Sequence, residues 1–194
     1  PNLVEQTWKV GGMYSQAIEQ IVSWLKKAVE VMDNPKQKEA TQLLITYYET
    51  GDLKKFDAYN LAWVKDTDGD IDFINGFIEV YGDAIGRRGA YEAMVQIEDP
   101  IASKRISAIA KDAQWFEDHS PIMDAHKKKQ VTGISAKVIN VVMESGDASP
   151  STPIGVNLPN ADWIRKIGSK SVNLANIVEA YDQAGKRTGI LEER

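Results

Sequence analysis

Ile71–Ile97, IDFINGFIEVYGDAIGRRGAYEAMVQI, decides how the rest of the chain is read. Apolar residues alternate at its start and again at its end, around a centre rich in turn formers (Gly82, Asp83, Gly86, Gly89). That pattern predicts two strands joined by a loop. Side chains alternate along a strand, so positions 77, 79 and 81 are expected on one face and Ile78 and Val80 on the other. Glu79 and Tyr81 would then project together, with Cα atoms roughly 6.5 Å apart. In the second run Tyr91, Ala93, Val95 and Ile97 alternate with Glu92, Met94, Gln96 and Glu98, as in a half-buried strand. Composition alone leaves the Glu79–Tyr81 pair as either a solvated face with a rim tyrosine or the polar wall of a cleft.

Upstream the spacing predicts three helices. Apolar residues recur from Met13 to Met32 at helical intervals, and Asn34-Pro35 ends the run. A second helix is expected over 35–50, with Leu43, Leu44, Tyr47 and Tyr48 inward, and Gly51-Asp52 as its stop. A third follows from Leu53 to about Lys65, carrying Phe56, Tyr59, Trp63 and Val64. Short links predict an antiparallel arrangement. Asp66–Asp72, DTDGDID, imitates the start of a calcium loop. Such a loop needs Gly at its sixth place and Glu at its twelfth, where this chain has Ile71 and Phe77, so it is read as an acidic turn.

Downstream, Pro100 opens a helix expected to reach about Asp118, and another is expected after Pro121 to about Lys129. Residues 134–143, ISAKVINVVM, fit a strand or a buried helix end equally. Residues 144–153 are the most loop-like stretch, leading into a short strand, Ile154–Leu158, that Pro159 ends. Asn160 is placed to cap a short helix at Ala161–Trp163, and a last helix over Leu174–Tyr181 would close at Gly185.

The 194 residues suffice for one domain or two small lobes, and 43% hydrophobic with 26% charged residues describes an ordinary globular composition. A net charge of −5 argues against nucleic acid as the main partner. No apolar run approaches the ~18–20 residues of a membrane span. Without cysteine, neither disulfides nor thiolate metal sites can form. The chain starts at Pro1 and stops at Leu191-Glu192-Glu193-Arg194, and looks like a piece of something longer. No signal peptide is visible, and the expected location is cytoplasmic.

Three blocks carry a resemblance. Residues 72–95, DFINGFIEVYGDAIGRRGAYEAMV, resemble the DFIxGFIExYxDPxGxRGxxEGxV pattern of the dipeptidyl peptidase III family of zinc exopeptidases. Gly155–Asn160, GVNLPN, is similar to its GxNxPN motif, and Ser171–Asn176, SVNLAN, to its NVSLGN stretch. The blocks come in family order and cover 70–194 well, while the first 65 residues match weakly. Ala84 stands where the family has proline, and Ala93 where it usually has glycine.

The resemblance implies an α+β fold, predominantly helical, with a small β-core of about three strands from this chain. Residues 1–66 would form part of a helical bundle. Residues 67–99 and 150–160 would form the β-core of the substrate-binding lobe, with 100–149 and 161–194 as helical segments on it. It implies that Glu79, Asn157 and Asn160, with Gly155 on the edge strand, bind a peptide N-terminus, and that Tyr81 supports the transition state. A carboxylate and amide oxygens suit an α-ammonium, a phenol suits an oxyanion, and a strand edge suits an extended peptide. For Asn157 and Asn160 turn and cap chemistry is the alternative account, and for Asn160 it stands level with ligand binding.

The zinc of this family comes from an HExxGH helix and a later Glu-bearing helix, neither of which is in this sequence. His119 and His126 lie seven apart with Pro121 between them, unlike the i, i+4 pair of a zinc helix. The expectation is no cofactor in this chain, zinc in the parent enzyme, and no peptidase activity from this piece alone. Expected partners are a peptide substrate and the rest of the parent chain carrying the zinc site, with no nucleic acid and no membrane. The rival function is a non-catalytic peptide-binding or interaction domain on the same scaffold, fused to a different enzyme. The glycines around Arg87-Arg88 match no phosphate loop and are left as turn residues.

Overall fold

The computed structural model describes Val4 and residues 6–131, 134–149 and 152–184, and the side chains of 134–136 lie outside that description. The chain forms two compact units, Pro1–Gly69 and Asp70–Arg194.

The first unit is three helices: α1 (Ser15–Val31), α2 (Pro35–Thr50) and α3 (Leu53–Lys65). The boundaries follow from local chemistry. The Asn34 side chain accepts the Lys36 and Gln37 amides at 2.9 and 3.4 Å, and Pro35 fills a first-turn position where no amide is needed. Gly51 ends α2 in the left-handed conformation, its amide on the Tyr47 carbonyl at 2.7 Å. Asp52 then caps α3 through the Lys54 amide. Leu44, Ile45 and Tyr48 are wholly buried, and the Tyr47 and Phe56 rings approach to 4.8 Å between centroids.

Asn34 also donates to the buried Asp66 at 2.7 Å, tying the start of α2 to the end of α3. Asn34→Ala is therefore expected to destabilise this unit by about 1–2 kcal/mol, the range of a lost cap. Urea denaturation followed at the unit's tryptophans measures it, and a change under about 0.3 kcal/mol would mean the cap is idle.

The second unit is a five-stranded sheet with short helices, so the fold is α+β and the expectation of about three strands is too low. In chain order come β1 (Ile71–Glu79), β2 (Ala90–Glu98), α4 (Pro100–Lys111), α5 (Ala113–Asp118), β3 (Ile134–Gly146), β4 (Gly155–Leu158), α6 (Asp162–Arg165), β5 (Ser169–Leu174) and α7 (Ala175–Gln183). Strand order is β1-β2-β3-β5-β4, antiparallel throughout except for the parallel β3–β5 pair. The undecided run at 134–143 is strand, and β3 continues through Ser145 and Gly146 into what the sequence marks as loop. The expected helix over 100–118 breaks at Asp112, and the one expected to Lys129 is a single 3-10 turn, Asp124–His126. Gly185, Pro150 and Ser151 lie outside the described residues.

β3 organises this unit because both of its edges are used. Its N-terminal half pairs β5 and its C-terminal half pairs β2, with Ile139 in both ladders. Ser103 of α4 is buried because its hydroxyl donates to the Val138 carbonyl at 3.1 Å and accepts the Val138 amide at 3.0 Å. Beyond Ile139 the β5 ladder ends, and Asn176 of α7 takes over. Its side chain accepts the Val141 amide at 3.0 Å and donates to the Val141 carbonyl at 2.9 Å.

The sheet coils enough for the edge strand β1 to reach β5, three places away in the strand order. Lys170 of β5 reaches Asp72 of β1 at 2.7 Å, a pair 7% and 20% exposed. On the face that carries them lie Ile74, Met94, Gln96, Ile139, Val172, Leu174 and Leu158, all buried.

Candidate functional site

The site is built from the end of β1, the turn after β3, and the segment following β4. A bulge sets it up. Phe77 pairs Tyr91, but Glu79 pairs Ala90, so Ile78 is an extra residue in β1. Cross-strand partners share a face, and Ala90 shares one with Glu92 and Met94. The extra residue therefore turns Glu79 away from the face of Phe77 and onto that of Glu92. The simple alternation expected for 77, 79 and 81 does not hold, and Tyr81 lies beyond the strand, in the turn that follows.

That turn is internally braced. The Asp83 carboxylate accepts the amides of Ile85, Arg87 and Arg88 at 3.4, 3.0 and 2.9 Å. The Arg87 and Arg88 amides first, then that of Ile85, hold its carboxyl below the ordinary range. A Cβ at Gly89 would stand 2.7 Å from the Phe77 carbonyl oxygen, so the returning chain fits only as glycine.

Asn160 does not cap α6, whose N-cap is Ala161 with no side-chain bond. Instead its amide nitrogen donates to Glu79 Oε2 at 3.2 Å, across 81 positions of sequence. Asn157 is three residues upstream on an outward position of β4, where its Oδ1 accepts the Ser171 hydroxyl at 3.3 Å. The structure thus joins Glu79 and Asn160 directly and leaves the Asn157 side chain on β5. The main chain tells more about β4. Leu174 donates to the Ile154 carbonyl at 3.1 Å, which fixes 154/174 as a hydrogen-bonded pair. Antiparallel pairs alternate, so Val156 faces β5 while the peptide groups of Gly155 and Asn157 face the outer edge.

Tyr81 is 76% exposed. Its limited burial and the carboxylates of Asp147, Glu79 and Glu92 raise its pKa above the ordinary phenol value, keeping it a proton donor at neutral pH. Glu92 and Asp147 are the two site residues that sequence reasoning missed. Glu92 faces Gly76 across one ladder and Gly146 across the other, so neither neighbour puts a side chain beside it. Burial first, then Glu79 and Asp147, push its carboxyl up to about 7. The glycines flanking that glutamate were the available signal, but pairing partners are not read from one sequence.

Among the described residues no group of three or more metal-ligating side chains comes together. His119 stacks on Trp115 at 4.3 Å and its Nδ1 lies 2.7 Å from the Trp115 carbonyl. Among the described residues no helix is long and apolar enough to cross a membrane.

Comparison with known proteins adds the lineage. Dipeptidyl peptidase 3 of Mus musculus is 25% identical over 184 residues, covering 94% of this chain and 24% of its own length. Nudix hydrolase 3 of Arabidopsis thaliana is 27% identical over 170 residues, 87% of this chain and 22% of its own. The chain therefore spans about a quarter of the length of these relatives. The structure of DPP III from Caldithrix abyssi superposes with a TM-score of 0.78 at 30% identity, covering 88% of this chain and 33% of that one. DPP III from Corallococcus, at 23% identity, gives a TM-score of 0.77 and shares the fold. The family model described as Peptidase family M49 matches residues 5–194, and the chain belongs to that family.

Proposed function

We propose that this chain is the substrate-binding portion of a zinc-dependent dipeptidyl peptidase that releases dipeptides from peptide N-termini. The single observation that carries the reading is the Glu79–Asn160 contact beside the open edge of β4. An exopeptidase must recognise a chain end, and the chemical mark of that end is the α-ammonium. Glu79 offers it a carboxylate, with Asn160 orienting one oxygen and leaving the other free to accept. The outward peptide groups of Gly155 and Asn157 bind the following residues as an added strand, which tolerates any side chain. Tyr81, protonated and exposed in the adjoining turn, donates toward the bond to be cut.

Among the described residues no zinc ligand set comes together. In a family-length polypeptide the zinc would be held by residues outside this chain, and the expected location is cytoplasmic.

A second reading has one observation in its favour. The same scaffold occurs in a relative named Nudix hydrolase 3, so it can accompany a different enzyme as a peptide-binding or interaction domain.

Glu79→Gln tests the ammonium site in either case. Charge-assisted hydrogen bonds contribute roughly 1.5–3 kcal/mol, so affinity for a free-amine peptide should fall about ten- to a hundredfold. The N-acetylated twin, lacking the charge, should be unaffected. Calorimetric titration of both peptides into both chains supplies the four affinities. Equal losses for the two peptides would make Glu79 a structural carboxylate.

A further inference from the structure

Glu92 has no part in the reading above, yet it lies on the same face as Glu79, one diagonal step away across the β1–β2 ladder. Diagonal neighbours stand ~7–8 Å apart, with side chains in reach of a shared ligand. Both of its ladder partners are glycines, Gly76 and Gly146, so neither neighbouring strand sets a side chain directly opposite its carboxyl. Gly146 cannot be replaced without conflict: its φ is +67°, and a Cβ would lie 2.0 Å from the Tyr91 carbonyl oxygen.

We propose that Glu92 makes peptide capture proton-linked: its carboxyl holds a proton while the site is empty and releases it to solvent when the α-ammonium enters beside Glu79. The inference rests on the ammonium site proposed above. In the step, the Glu92 O–H bond breaks, the proton passes to water, and the carboxylate left behind pairs with the incoming cation. No electron transfer or co-reactant is involved.

The charges around Glu92 favour this behaviour. From β1 and its turn come Glu79 and Tyr81, and from the turn after β3 comes Asp147. Glu144, opposite Met94, accepts the Thr152 hydroxyl at 2.6 Å. The cations of this face, Lys170 and Lys137, are engaged with Asp72 and Glu98 farther along the sheet. Burial and like charge therefore disfavour a carboxylate at Glu92, and an ammonium reverses the balance. A carboxyl held at about 7 is about half protonated at neutral pH, so a cation arriving beside it releases up to about half a proton per site there.

The direction follows. Lowering the pH protonates Glu92 and weakens capture, so affinity for a free-amine peptide should rise with pH through this range. Titrating the chain with tetra-alanine between pH 5.5 and 7.0 should give a roughly tenfold rise in affinity, while the α-ammonium stays charged. In Glu92→Gln, an isostere of the protonated form, that slope should vanish while the preference for tetra-alanine over its N-acetyl twin remains. Both histidines are intact in this variant, so their titration cannot mimic the result. A slope that persists in Glu92→Gln overturns the proposal but leaves the ammonium site standing. No preference for the free amine in the unaltered chain removes both. A measurement without peptide checks the same point. The Glu92 side-chain carbon, followed by NMR, should titrate near 7 in the unaltered chain and lower in Glu79→Gln. A midpoint in the ordinary carboxylate range would also overturn it.

Discussion

A chain carrying Gly146→Ala is expected to lose at least about 3 kcal/mol of stability, more than most single substitutions remove. Two independent conflicts add. The backbone at Gly146 has φ +67°, which an L side chain adopts at a cost of about 1–2 kcal/mol. The added Cβ would also sit 2.0 Å from the oxygen and 2.8 Å from the carbon of the Tyr91 carbonyl, both main-chain atoms that cannot swing aside. Relief requires the turn at Asp147 to lift away, breaking the 2.9 Å bond from its amide to that same carbonyl. Urea denaturation gives the loss, and amide exchange at Asp147 gives its location. An unfolding free energy within about 0.5 kcal/mol of the unaltered chain's would mean that the turn is more pliable than its contacts imply.

Lys170→Met should lose nearly as much, for an electrostatic reason. It strips the ammonium from a largely buried ion pair and leaves the Asp72 carboxylate only 20% exposed. Breaking such a pair from one side costs about 3–5 kcal/mol. Asp72 also accepts the Phe73 amide at 2.8 Å and keeps some water, which places the expectation at the lower end. Removing both charges in Lys170→Met/Asp72→Leu should recover most of the loss, because the desolvation of two ions disappears together. Thermal unfolding of the three chains decides the matter. If the double variant is as unstable as the single, the pair acts through packing of the lysine stem and not through charge.

The parts of this fold that sequence reveals are those fixed locally. Asn34-Pro35 and Gly51-Asp52 bound α2 because caps and left-handed glycines act within a few residues. The β1–β2 hairpin is legible from the turn formers between two alternating runs. What escapes is set at a distance. The bulge at Ile78 depends on which residue of β2 pairs with Glu79, and alternation counted along one strand cannot register it. β5 was overlooked because its six residues form a strand only alongside β3 and β4. Asn160 looks like a cap, and becomes a partner of Glu79 only once the sheet has coiled.

Asn176 has one further consequence. A sheet whose ladder stops partway along a strand offers a template on which another chain can grow, the usual start of edge-to-edge aggregation. Past Ile139 that hazard would fall on Val141, in a valine-rich stretch of β3. A single carboxamide there imitates the donor and acceptor of one more residue of strand, with no backbone behind it to continue the pattern. Growth on that side of the sheet is thereby terminated chemically, by a residue that satisfies the template without extending it.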